Sequence, residues 1–183
     1  DRHREMLDQV LRVFDVKPEI DLDIMKKDQD LCDVTSNIIH KLKECFLEEK
    51  PDLVLVHGDT TTSFVAALVC FYLGIKVGHV EAGLRTNNLY APFPEEFNRQ
   101  VTGIISNLHF APTQASAANL LREGKNKDNI FVTGNTVIDS MQLVLKRINE
   151  DSKRLNKITS SLKSSINFNW EKEKFVLITG HRR

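Results

Sequence analysis

Apolar residues recur at helical spacing from the start of the chain, with Met6, Leu7, Val10, Leu11 and Phe14 forming one stripe ahead of Pro18. Asp52-Leu-Val-Leu-Val-His57 has a different pattern. It is a short unbroken apolar run between Pro51 and Gly58, which predicts a strand buried in a parallel sheet. Thr60 to Leu73 reads as a helix, with Thr60 or Thr61 as its cap and Gly74 ending it in the left-handed conformation. Ile75 to Val80 is the next strand. Pro94 suits a first helical position, and Glu95 and Glu96 suit the positive end of the helix that follows. The series continues with a strand at Leu108 to Ala111, a helix from Thr113 to Glu123, a strand at Ile130 to Val132 and a helix from about Asn135 to Arg147.

Strands alternating with helices in this way imply right-handed crossovers and an α/β fold with a doubly wound parallel sheet. Residues 1–148 form the expected α/β domain, and the polar stretch 149–174 is read as a charged helix and linker. Residues 175–183 are read as a buried strand, from Phe175, running into a loop. The chain opens inside a helix and stops just after a strand, so a fragment of a longer protein is expected. Charge is balanced, with 25 Lys+Arg against 25 Asp+Glu, which removes the overall basic excess of many nucleic-acid binders. The longest apolar stretch, Phe64 to Ile75, is shorter than the roughly 20 residues a bilayer span needs, and no secretory leader is visible. Neither a nucleic-acid nor a membrane partner is expected. Cys32, Cys45 and Cys70 form no CxxC pair, which favours a reducing cytoplasm with each thiol a small buried hydrophobe.

In an open α/β sheet, ligands bind beyond the carboxyl ends of the strands. The segments at those ends are Gly58-Asp-Thr-Thr-Thr62, Glu81-Ala-Gly-Leu-Arg85, Thr133-Gly-Asn135 and Gly180-His-Arg-Arg183. Asp59 suits either a helix cap or a functional carboxylate. Glu81 leaves a buried strand with no evident helix to cap, so it either pairs with Arg85 or faces a cleft. Glu95 and Glu96 are explained equally by the helix dipole. His181 follows the end of its strand beside Arg182, where a cleft-facing, anion-contacting imidazole is expected. The i, i+2 pairs His57/Asp59 and His79/Glu81 suggest a metal only superficially, because Gly58 interrupts the extended strand that would align them. The GxGxxG, P-loop and G-x-S-x-G devices are absent.

Four blocks, His57-Gly-Asp-Thr-Thr-Thr62, His79-Val-Glu-Ala-Gly-Leu-Arg85, Pro92-Phe-Pro-Glu-Glu-Phe-Asn-Arg99 and Gly180-His-Arg-Arg183, occur here in one order. Together they resemble the non-hydrolysing UDP-N-acetylglucosamine 2-epimerases of bacteria. The opening His3-Arg-Glu-Met-Leu7, Pro112-Thr113 and Thr133-Gly-Asn-Thr-Val-Ile-Asp139 fit the same family. The resemblance implies two Rossmann-like domains of GT-B-like plan facing across a cleft. By this resemblance residues 1–148 would supply most of the first, N-terminal Rossmann-like domain, without its first strand and without most of the C-terminal domain. It also implies interconversion of UDP-N-acetylglucosamine and UDP-N-acetylmannosamine by elimination of UDP to a 2-acetamidoglucal and re-addition. No cofactor and no metal are implied. The expected assembly is a cytoplasmic homodimer serving cell-envelope polysaccharide synthesis. By the same resemblance Asp59, Glu81, Glu95 and His181 are catalytic, and Arg85 and Arg182 bind substrate. A chain lacking half of such a cleft is expected to be inactive alone. Arg2 stands where family members have Gln, in a region that helps some of them bind a second nucleotide sugar as activator. A nucleotide-sugar glycosyltransferase on the same two-domain plan is the competing expectation.

Overall fold

A computed structural model describes residues 2–170 and 172–179. His181 and Arg182 therefore lie outside the described residues. The described chain forms two compact units, one of residues 17–136 and the other of residues 1–16 with 137–183.

The larger unit is a four-stranded, all-parallel sheet in the order β1 (Leu53–His57), β2 (Lys76–Val80), β3 (Leu108–Ala111), β4 (Ile130–Val132). Parallel neighbours need a crossover between them, and helices supply each one. These are α3 (Thr61–Leu73), α4 (Glu95–Ile105) and α5 (Gln114–Arg122), the last followed by a 3₁₀ turn at Lys127–Asn129. The α/β class and the parallel sheet are those the hydrophobic pattern predicts. Thr60 and Thr113 cap α3 and α5 by accepting from the backbone N–H groups of Ser63 and Ser116. Gly74 ends α3 at φ +72°.

The helix α3 is apolar on nearly every side because it is enclosed. Ala66, Ala67 and Cys70 pack on Val56 and Val77 of the sheet, while Val65 and Val69 pack on Ile38 of a further helix. That helix, α2 (Leu31–Glu49), was not anticipated from the sequence. Its signals are present all the same: Asp30 and Asp33 form a reciprocal capping box, and Val34, Ile38, Leu42 and Phe46 recur on one face.

The smaller unit holds α1 (Arg2–Phe14), α6 (Thr136–Glu150) and α7 (Ser152–Ser165). Arg147 of α6 donates to the Val13 carbonyl at 3.0 Å and lies over the Phe14 ring. Asp151 caps α7, so much of the charged stretch is helical.

Two expectations differ from the described structure. Residues 175–179 form no strand among the described residues. A strand exists by pairing, and among the described residues none pairs with this segment, whose Val176 and Ile178 are 84% and 86% exposed. The cysteines are not all buried either. Cys70 is enclosed and Cys45 half-buried, but Cys32 is exposed because α2 buries only the face that carries Ile38.

Candidate active site

The carboxyl ends of β1 and β2 lie side by side, with His57 in register with Val80, so the residues that follow each strand meet at one rim. Gly58 turns the chain at φ +72° and donates its N–H to the Val80 carbonyl at 3.0 Å, tying the two ends together. Its missing side chain matters. A Cβ at Gly58 would come within 3.3 Å of Glu81 Oε2, so the Glu81 carboxylate reaches across to the turn that carries Asp59. Glu81 itself has φ +68°, a left-handed conformation that costs a non-glycine residue about 1–3 kcal/mol.

The first turns of α4 complete this rim. Arg99 Nη2 contacts Asp59 Oδ2 at 2.7 Å, and Asn98 Nδ2 donates to the Asp59 carbonyl at 2.9 Å. Glu95 is three and four residues before these two, so helical geometry puts it on the same face. Its Oε2 is buried and makes no hydrogen bond, an arrangement that a bound donor would relieve. Glu96 points elsewhere and is fully buried. Its carboxylate accepts from Thr86 N–H, Asn87 N–H and Gln100 Nε2 at 2.9–3.1 Å, and lies 3.5 Å from Arg99 Nε. Burial alone would raise this carboxyl, but the hydrogen bonds from Gln100, Thr86 and Asn87, with the Arg99 charge, hold it below its ordinary value.

The loop after Glu81 is anchored from α5. Gly83, at φ +90°, packs so closely that a Cβ there would lie 2.3 Å from the Ser116 carbonyl oxygen. Arg85 makes a bidentate pair with Glu123, at 2.7 and 2.9 Å, and donates through Nη1 to the Leu84 carbonyl. With its side chain 2% exposed and all three guanidinium nitrogens engaged, Arg85 ties this loop to the end of α5. Its carboxylate partner is Glu123, not Glu81. Among the described residues no group of three His, Cys, Asp or Glu side chains is close enough to hold a metal ion.

The UDP-N-acetylglucosamine 2-epimerase family model matches residues 1–183. The chain belongs to that family. The Campylobacter jejuni UDP-N-acetylglucosamine 2-epimerase is 52% identical over 182 residues, covering 100% of this chain and 47% of that protein. For the Bacillus subtilis enzyme of the same name the figures are 51% over 191 residues, 100% and 44%. The chain thus spans about half the length of the curated relatives it matches. Among solved structures, the Neisseria meningitidis UDP-GlcNAc 2-epimerase bound to UDP-GlcNAc superposes with a TM-score of 0.83 at 48% identity, covering 91% of this chain and 45% of that one. The Methanocaldococcus jannaschii UDP-GlcNAc 2-epimerase gives 0.77 at 35% identity, with coverages of 88% and 43%.

In this member of the family, the Glu81 carboxylate reaches the turn that carries Asp59, and α4 places Glu95 on the helix face that meets Asp59. Sequence reasoning overlooked Arg99 and Asn98, although both lie in the block that carries Glu95. An arginine and an asparagine one turn after a helix-opening Glu were the available signal, but their target, Asp59, is about 40 residues away and only the fold reveals it.

Proposed function

We propose that the whole protein containing this chain is a UDP-N-acetylglucosamine 2-epimerase, in which residues 1–148 belong to one of two domains facing a nucleotide-sugar cleft. The observation that supports this reading is the reach of the Glu81 carboxylate to the turn that carries Asp59, at the ends of two paired strands, with Arg99 held on the Asp59 carboxylate. The proton at C2 of the sugar is weakly acidic, so its removal needs a base held close and screened from bulk water. One carboxylate takes that proton. The electron pair of the C2–H bond becomes the C1=C2 bond of a 2-acetamidoglucal, and the C1–O bond breaks to release UDP. The other carboxylate, in its acid form, returns a proton to C2 from the opposite face as UDP re-adds at C1. Glu95 orients the sugar through its unsatisfied oxygen. His181 and Arg182 are assigned to the leaving phosphate, where charge develops. Arg99 keeps Asp59 directed at the ring. The family kinship and the Neisseria relative solved with UDP-GlcNAc support the choice of substrate. The protein is further assigned to the cytoplasm as a homodimer. Among the described residues no helix is long and apolar enough to cross a membrane.

Incubation of the whole protein with UDP-N-acetylglucosamine in deuterated water should give UDP-N-acetylmannosamine carrying deuterium at C2. Asp59→Asn should lower the rate by about 10²–10⁴-fold, the usual contribution of a positioned acid or base. Transfer of the sugar to an acceptor with no deuterium at C2 would instead indicate a glycosyltransferase.

A further inference from the structure

The backbone that carries Asp59 is held in an unusual way. Three successive carbonyls, those of His57, Gly58 and Asp59, each accept a hydrogen bond from a different side chain. Ser63 Oγ, one turn into α3, donates to the His57 carbonyl at 2.6 Å. His79 Nε2, from β2, donates to the Gly58 carbonyl at 2.8 Å, and Asn98 Nδ2, from α4, donates to the Asp59 carbonyl at 2.9 Å. All three donors are buried. The Gly58 N–H is held on the Val80 carbonyl, but beyond it the chain leaves the sheet through a glycine at φ +72°, where a rotation of the backbone would swing the Asp59 side chain. Fixing three consecutive carbonyls from three separate elements removes that freedom.

The chemistry of His79 fits such a task. A carbonyl only accepts, so the ring must carry its proton on Nε2. Its Nδ1 is buried and makes no hydrogen bond, so Nε2 is the nitrogen through which the ring is held. Burial, with the nearby charges of Arg85 and Arg99, lowers the imidazole to about 4 and keeps it neutral, although its bond to Gly58 opposes that shift.

We propose that Ser63, His79 and Asn98 are positioning residues for the reaction, clamping the Asp59 backbone so that its carboxylate is held at C2 of the sugar. None of them touches substrate. The proposal rests on the epimerase reading for its kinetic consequence but not for its structural one, so two readouts separate them. In the whole protein, His79→Leu removes the donor while keeping an apolar side chain, and His79→Gln returns an N–H at about the reach of Nε2. The leucine variant should lower kcat about 10–100-fold, the scale of a small misplacement of a catalytic group, with KM within about 3-fold of wild type. The glutamine variant should recover most of kcat. Hydrogen exchange read by mass spectrometry should show residues 57–60 exchanging about 10-fold faster in the leucine variant than in wild type or the glutamine variant. Ser63→Ala should show both effects in weaker form, and it decides the question if His79→Leu does not fold. Equal kcat in the leucine and glutamine variants, a change in KM alone, or unchanged exchange at 57–60 would overturn the clamp. A wild-type protein with no C2 exchange would instead overturn the epimerase reading, leaving hydrogen exchange to decide the clamp.

Discussion

At the scale of single residues, two histidines face each other across β2 and β3. His79 and His109 are in register and buried, and burial lowers each from an ordinary 6.5 to about 4. The unfolded chain therefore takes up protons below about pH 6.5 that the folded chain refuses until about pH 4. Their contribution is complete above pH 6.5 and is lost as the pH falls towards 4, by about 3 kcal/mol for each. Glu96, held below its ordinary value, works in the same direction, since protonation at low pH weakens its bonds to Thr86, Asn87 and Gln100. Urea midpoints measured from pH 7 down to 4.5 should fall steeply, and a flat profile would contradict this account. None of this was legible in the sequence. The environment of a histidine in a short apolar strand depends on what the neighbouring strands bring against it. His79 reads as a possible ligand with Glu81 until its ring is seen turned to the Gly58 carbonyl.

The elements show where local signals suffice. The runs at Leu53–His57, Lys76–Val80, Leu108–Ala111 and Ile130–Val132 were found within a residue or so because each is a brief apolar stretch bounded by turn formers or caps. The helix Leu31–Glu49 was overlooked despite its capping box, because a polar, structureless approach from Lys17 precedes it and its apolar stripe is narrow. Asp30→Ala should destabilise the protein by about 1 kcal/mol in urea titrations, as loss of an N-cap generally does, while Asp30→Asn should cost much less. Equal stability of wild type and the alanine variant would mean that the box contributes nothing. The segment 175–179 is the opposite case. Its composition favours a strand, but pairing requires a neighbour that the local sequence does not specify. At the rim the same rule holds: residues at strand ends could be read from the pattern, whereas Asn98 and Arg99 became visible only when the crossover helix placed them on Asp59.

For the molecule as a whole, activity and folding separate. The 183-residue chain covers less than half the length of its relatives, and on the epimerase reading it holds one wall of a two-walled cleft. Expressed alone, it should show no turnover of UDP-N-acetylglucosamine in an assay where the whole protein is active; measurable epimerisation would refute this. It also leaves apolar side chains in water, among them Phe71, Tyr72 and Ile104 at 63–70% exposure. Self-association is the expected result by light scattering, and a stable monodisperse monomer would count against it.

Everything turns on whether Asp59 and Glu81 address the same carbon. A crystal structure of the whole protein with UDP-N-acetylglucosamine bound measures this directly. Both carboxylates should lie within about 4 Å of C2, or one water away, as proton transfer requires. A sugar ring bound elsewhere, with either carboxylate turned away from it, would contradict the account.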